Sequence, residues 1–226
     1  MTRLVCGFLR CEQKFSPLFD TLPTLLWVKN RGGRITVEPT GGSGKMSEAK
    51  IPVDAGAWLA TTLRFMITEA NSMRPGNDAM LARLTELFFV EVLRGYMQQL
   101  PGDQRGFLAG LKDPHVSKAL ELLHGEPERD WTVEELAREV GTSRSTIADR
   151  FTDLLGASPM RYLSSWRMQI AKQLLSTSDL SLQEVASRVG YESEYAFNRA
   201  FKKFVGEPPA KWRKGTIASS NEPVAG

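Results

Sequence analysis

The sequence predicts a mainly α-helical protein whose C-terminal part is an all-α domain with two helix-turn-helix units joined by a linker helix. Three observations predict it. A ten-residue pattern occurs twice, TVEELAREVG at 132–141 and SLQEVASRVG at 181–190. Apolar residues recur at helical spacings of three and four over most of the chain. Strand-like patterns are confined to Leu4–Arg10 and Arg34–Glu38, the latter (RITVE) alternating apolar and polar residues as a half-buried strand does.

Between those strands, Pro17 and Pro23 punctuate an apolar segment, and Gly41–Gly44 (GGSG) forms a flexible loop. Residues 57–70 (AWLATTLRFMITEA) have helical spacing, and Arg74-Pro75-Gly76 stops that helix. A second helix covers 79–100, with Leu81, Leu84, Phe88, Val92 and Tyr96 on one stripe and Leu87, Phe89, Leu93 and Met97 widening it. A stripe that broad needs two partners: the first helix for its inner part, and a second copy of the chain as the candidate for the surplus. Pro101–Lys112 carries three glycines and reads as the boundary, with 106–112 as linker. A new helix then starts with Asp113 as cap and Pro114 in its first turn; Val116, Ala119, Leu120 and Leu123 form its face and Gly125 ends it.

The repeat comes next. Its copies align at an offset of 49 residues, and both begin with a capping box, Thr132 with Glu135 and Ser181 with Glu184. The match continues at an offset of 50, where Phe151, Gly156 and Pro159 align with Phe201, Gly206 and Pro209. Each copy reads as a short helix, a tight turn at Gly141 or Gly190, and a second helix. Ala137 or Ala186 allows close crossing, and Ile147 or Phe197 plugs the second helix into the core. The units are thus 132–156 and 181–206. Ser158-Pro159 starts a joining helix with Leu163, Trp166, Ile170 and Leu174 on one face. At about 1.5 Å per residue it separates the units by roughly 25 Å or somewhat more, near one turn of duplex DNA at about 34 Å. One chain can then read two successive major-groove segments.

Charge supports this by position, not by sum. The 226 residues hold 29 Lys+Arg against 26 Asp+Glu, a net of +3. Arg144, Arg150, Arg161, Arg167 and Lys172 face only Asp149 and Asp153 across 143–172, and Arg199, Lys202, Lys203, Lys211, Arg213 and Lys214 face only Glu207 across 195–214. Acids gather instead upstream and on the first helices, at Glu121, Glu126, Glu128, Asp130, Glu134, Glu135 and Glu139. That bipolar arrangement suits one face set against phosphates.

Other classes find little support. Two cysteines, Cys6 and Cys11, and two histidines, His115 and His124, give neither a disulfide framework nor a metal cluster, so no cofactor and no metal is expected. Both histidines read as surface or cap residues. The longest membrane candidate, 79–100, is broken by Arg83, Glu86, Glu91 and Arg94, and the N-terminus lacks a cleavage site, which points to the cytoplasm.

Residues 113–214 resemble the DNA-binding domain of AraC/XylS-type transcriptional regulators. The resemblance rests on A-x3-G in both units, on Arg167, Ala171, Leu174 and Leu175 of the joining helix, and above all on EVASRVGYESEYAFNRAFKKFVGEPPAKWR, 184–213. Residues 1–105 resemble the later part of a cupin-like sensor, through LVCG, LPTLLWV and RPG followed by the 79–100 helix, so a small α+β remnant with a helical hairpin is expected there. The sensor reads as shortened and the reading frame as starting upstream, while 215–226 reads as a flexible tail. Cys6 precedes Gly7 as in a sensor branch with oxidant-responsive members; it is read as a buried thiol, with a redox role as the alternative.

On the second helices of the units, periodicity buries Ile147, Phe151 and Leu154, and Phe197, Phe201 and Phe204. The face left over carries Arg144, Ser145, Ala148 and Asp149, and Glu194, Tyr195, Asn198, Arg199 and Lys202. Arg199 can pair bidentately with guanine, Asn198 with adenine, and Ala148 can touch a thymine methyl. The resemblance implies base readers at Ser145, Ala148, Asp149, Tyr195, Ala196 and Arg199. Asp149 keeps two readings, acceptor from cytosine or partner in an ion pair with Arg150. Thr132, Arg144, Ser181, Lys202, Lys203, Lys211 and Arg213 are phosphate candidates, the two hydroxyls being caps first. The expectation is a double-stranded DNA-binding transcriptional regulator, not an enzyme, with RNA polymerase, a second copy through 79–100 and an unidentified effector as candidate partners. The rivals are a DNA-repair enzyme sharing the module and an interaction protein that kept only the fold.

Overall fold

The computed structural model describes residues 22, 26–31, 34–39, 53–72, 74–101 and 104–220. They fall in two units, Met1–Gln104 and Arg105–Gly226. The Leu4–Arg10 strand, Cys6 and Cys11, and the GGSG loop lie outside the described residues.

In the N-terminal unit, β1 (Leu26–Arg31) and β2 (Arg34–Pro39) pair antiparallel, with Leu26 opposite Pro39, Val28 opposite Val37 and Arg31 opposite Arg34. β2 contains the alternating RITVE. β1 falls in a stretch the periodicity left unassigned, because its start runs into continuous apolar residues after Pro23. Helix α1 (Val53–Ala70) begins four residues before the predicted start at 57, and α2 spans Asn77–Gln99. The helices pack on each other, and Leu59, Ala60 and Thr62 of α1 and Val92 and Tyr96 of α2 are buried. Of the residues that widen the stripe, Leu87 is exposed while Phe89, Leu93 and Met97 are half-buried; Met80 and Val90, outside the predicted stripe, are exposed as well, as are Trp58 and Phe65 of α1.

The C-terminal unit is all helix: α3 (Phe107–Lys112), α4 (Pro114–Gly125), α5 (Val133–Glu139), α6 (Arg144–Leu155), α7 (Pro159–Thr177), α8 (Leu182–Arg188), α9 (Glu194–Val205) and α10 (Pro209–Ser220). Two predicted boundaries change. Residues 106–112, expected as linker, hold α3, whose Leu108, Ala109 and Gly110 are buried and whose preceding Gly106 amide donates to the Leu154 carbonyl at 2.6 Å. Gly110 there permits tight packing against Leu155, not slack. Likewise α10 runs to Ser220, into the expected tail, and 221–226 lie outside the described residues.

Asp113 caps α4 as predicted, accepting the His115 and Val116 amides at 3.0 Å each. Its other oxygen takes Arg150 Nη1 at 2.6 Å, which ties α4 to α6. Burial works to raise the Asp113 pKa, but the Val116 amide, the Arg150 guanidinium and the His115 amide together hold it below the usual value.

Two apolar cores form. The first gathers Leu120, Leu123, Trp131, Leu136, Ile147, Phe151 and Leu163; the second gathers Met168, Leu175, Val185, Val189, Phe197 and Phe201. Helix α7 serves both, and this corrects its predicted face: Leu163, Met168, Ala171 and Leu175 are the buried positions, while Trp166, Ile170 and Leu174 are half-buried. One periodic stripe was expected, but a helix shared by two cores turns a different side to each. Phe204 is a further correction. It is 42% exposed, and its neighbour Val205 packs against the second core in its place.

Candidate nucleic-acid interface

The repeated sequence folds into repeated geometry. In both capping boxes the hydroxyl accepts the amide of the third helical residue, Glu135 N to Thr132 Oγ1 at 3.1 Å and Glu184 N to Ser181 Oγ at 3.2 Å. The Glu carboxylates return to the cap amides at 3.1 and 2.7 Å. The turns match as well: Thr142 N donates to Ala137 O and Tyr191 N to Ala186 O, each at 2.9 Å. Gly141 and Gly190 sit at φ 71° and 74°, a region open to glycine at little cost. Ser143 and Ser193 then cap the second helices, accepting Thr146 N and Ala196 N. The inserted residue that changes the offset from 49 to 50 is thereby located between Tyr191 and Ser193.

Each unit fixes its second helix through fully buried side chains, Ile147 and Phe151 on α6, Phe197 and Phe201 on α9. Truncating any of the three phenylalanines to Ala would cost about 3–5 kcal/mol. Burying that side of α9 leaves Tyr195, Ala196, Arg199, Lys202 and Lys203 exposed on the rest of the helix. Tyr195 is 72% exposed, the Arg199 guanidinium lies 5.9 Å from its ring centroid, and Asn198 Nδ2 reaches Glu194 Oε1 at 3.5 Å. Arg199 and Tyr195 therefore stand as an i, i+4 pair of a planar cation and a ring, both with free hydrogen-bonding edges for a base or phosphate.

On α6, Arg144, Ser145 and Asp149 are exposed and Ala148 is half-buried. Ser145 Oγ lies 3.0 Å from the cap oxygen of Ser143. The ion pair considered between Asp149 and Arg150 does not form, since Arg150 is taken by Asp113; Asp149 has no ion pair among the described residues. Arg144 Nε pairs across the unit with Glu134 Oε1 at 2.9 Å, both exposed.

The phosphate candidates divide. Lys202 and Lys203 project from α9 into solvent. Lys211 pairs with Glu207 at 3.2 Å on a surface where water screens the pair. The hydroxyls of Thr132 and Ser181 are each engaged twice by their own capping box, donating to the Glu carboxylate and accepting the Glu amide. Arg213 turns inward, its Nη2 donating to the Leu180 carbonyl at 2.5 Å. Sequence patterning counted Arg150, Arg167 and Arg213 with the outward charge; all three hold backbone or caps over separations of 33 to 40 residues that no local pattern encodes. Reasoning from periodicity also missed Gln183, whose Oε1 accepts the Glu194 amide at the start of α9.

The histidine expectation is half corrected. His115 Nδ1 donates to the Val140 carbonyl at 3.0 Å, a capping role. His124 is not a surface residue: its ring stacks 4.1 Å from Trp166 and 5.8 Å from Tyr162. Among the described residues no group of His, Cys, Asp and Glu could hold a metal ion, and no described helix is long and apolar enough to cross a membrane.

Two paired second helices with solvent-facing polar and basic side chains define a class of two-unit helix-turn-helix domains. Residues 136–215 match the family described as helix-turn-helix domain, and residues 49–98 match the family described as cupin. The chain is 34% identical over 199 residues to the HTH-type transcriptional regulator AlkR of Acinetobacter baylyi, covering 88% of this chain and 58% of that protein. It is 39% identical to a putative AraC-like transcription regulator of Streptomyces lividans over 70% of this chain and 51% of the relative. With the RCS-specific activator RclR of Escherichia coli it shares 29% identity over 94% of this chain and 68% of RclR. Residues 136–215 are a helix-turn-helix domain similar to those of the AraC-like regulators, and the chain spans little more than half the length of the first two relatives.

Proposed function

We propose that the chain is a sequence-specific transcriptional regulator that binds double-stranded DNA through α6 and α9, laid in two successive major-groove segments. One observation carries the reading: the same capped helix, glycine turn and second helix is built twice, and each copy buries one side of its second helix while leaving polar side chains on the rest. Arg199 reads guanine, with Tyr195, Ala196 and Asn198 beside it. Ser145, Ala148 and Asp149 form the corresponding face of α6. Lys202, Lys203, Arg144 and Lys211 contact phosphates.

In this reading residues 113–214 bind DNA in the cytoplasm, residues 1–105 are the sensing part, RNA polymerase is the downstream partner, and a second copy docks through 79–100. The charge that reaches solvent on α9 is what a phosphate-facing surface requires, since neutralising phosphates releases counterions and makes binding fall steeply with salt.

The test is a gel shift against a selected DNA site at several salt concentrations. Arg199→Ala should lose about 1–3 kcal/mol at one base position, and Lys203→Ala should weaken all sequences alike and lower the salt slope by about one. Binding by both variants equal to that of the unaltered chain would contradict the assignment.

A further inference from the structure

The two turns of the repeat are equivalent in sequence and unequal in surroundings. A Cβ on Gly141 would meet nothing within 4 Å, whereas one on Gly190 would sit 2.6 Å from the Glu128 carbonyl oxygen and 2.7 Å from Arg167 Nη2. A left-handed turn alone explains Gly141. At Gly190 the turn of the second unit is also pressed against a loop that precedes the first unit, and only a residue without a side chain fits.

Arg167 of α7 fills the centre of this contact. Its Nε donates to the Pro127 carbonyl at 2.6 Å and its Nη2 to the Arg129 carbonyl at 2.8 Å, while its guanidinium lies 5.9 Å from the Tyr191 ring centroid. The loop it grips is itself anchored in the first core, because Trp131 is buried there and its Nε1 donates to the Glu126 carbonyl at 3.0 Å. On the other side, Tyr191 packs edge-on to Phe197 of the second core at 5.9 Å. The planar guanidinium reaches the two carbonyls from separate, rigidly placed nitrogens, a geometry the single nitrogen of lysine does not offer.

The rest of the connection between the units is thin. They share α7, which gives Leu163 to the first core and Met168, Ala171 and Leu175 to the second. The junction at Arg167 and Gly190 is where the first unit's loop meets the second unit's turn directly.

We propose that the Arg167–Gly190 junction locks the separation and twist of α6 and α9, and so sets the spacing between the two DNA segments, with Arg167 as a positioning residue. The spacing clause rests on the DNA reading above; the locking clause does not. One base pair inserted between the segments moves the second by about 3.4 Å and rotates it by about a tenth of a turn, which a locked pair of helices cannot follow.

Two measurements on the full chain test it. In the first, nitroxides are placed at Glu139→Cys and Ser187→Cys, both exposed, on a Cys6→Ser, Cys11→Ser background. The reference chain should show one narrow distance, and Arg167→Ala and Arg167→Lys should broaden it, each variant first shown to be helical by circular dichroism. In the second, DNA sites with one base pair added or removed between the segments are compared with the selected site. The reference chain should lose at least about tenfold in affinity, and Arg167→Ala should lose less than about threefold. An unchanged distance distribution in the folded variants overturns the proposal whatever the DNA shows. Broadened distances with an unchanged spacing penalty overturn the spacing clause. Failure of the DNA reading itself would appear separately, as no sequence preference in the reference chain, and would take the spacing clause with it.

Discussion

His124 is held between aromatic faces, 4.1 Å from the Trp166 ring and 6.1 Å from that of Phe107, with Nε2 2.8 Å from the Tyr162 hydroxyl. Burial lowers its pKa from 6.5 to about 4. Between pH 6.5 and 4 the unfolded chain takes up a proton that the folded chain refuses, so stability is full above 6.5 and declines as the pH falls towards 4. Water still reaches part of the ring, so the loss is on the order of 2 kcal/mol, below the full conversion of the shift. Urea unfolding at pH 7.5 and 4.5 measures it: His124→Phe should flatten the dependence by that amount, and an equal slope in both proteins would contradict the stacked, neutral histidine. The sequence placed His124 at the end of its helix, where exposure is the usual outcome. What buries it is Trp166 and Tyr162, about forty residues away on α7, and such a meeting is a tertiary event.

At the scale of elements, local chemistry was the most legible. Both capping boxes, the Asp113 cap, the turn glycines and the starts at Pro114 and Pro159 involve residues within four positions of one another, and each is present where the pattern puts it. Faces were less legible. The α7 stripe shifted because two cores divide the helix, and at the end of α9 Val205 packs on the core while Phe204 is exposed; a period alone leaves such choices open. The exposed side of α9 was legible on the same terms, from periodicity, whereas the inward turn of Arg150, Arg167 and Arg213 depends on carbonyls and a cap far away in sequence. Helix α2 supplies a prediction at this scale. Leu87 of the predicted surplus is 55% exposed, with Met80 and Val90 exposed beside it on the same helix, an apolar surface suited to a subunit contact. Analytical ultracentrifugation should show concentration-dependent association of the chain, abolished by Leu87→Asp with its helix content unchanged. Equal sedimentation of the two proteins would contradict the interface at 79–100.

For the molecule as a whole, a net charge of +3 conceals an uneven distribution, and the structure narrows it further. Once the inward arginines are set aside, the cations left in solvent on and near α6 and α9 include Arg144, Arg161, Arg199, Lys202, Lys203, Lys211 and Lys214, on a nearly neutral domain. Affinity would then depend on engaging both helices at once, since neither face carries enough charge to bind DNA tightly alone. In the proposed reading one chain engages two successive major-groove segments. Hydroxyl-radical footprinting of the full chain on a selected site tests it most directly: two protected patches about one helical turn apart on one face of the duplex are predicted. A single protected patch of half that extent, or protection that shows no dependence on sequence, would contradict it.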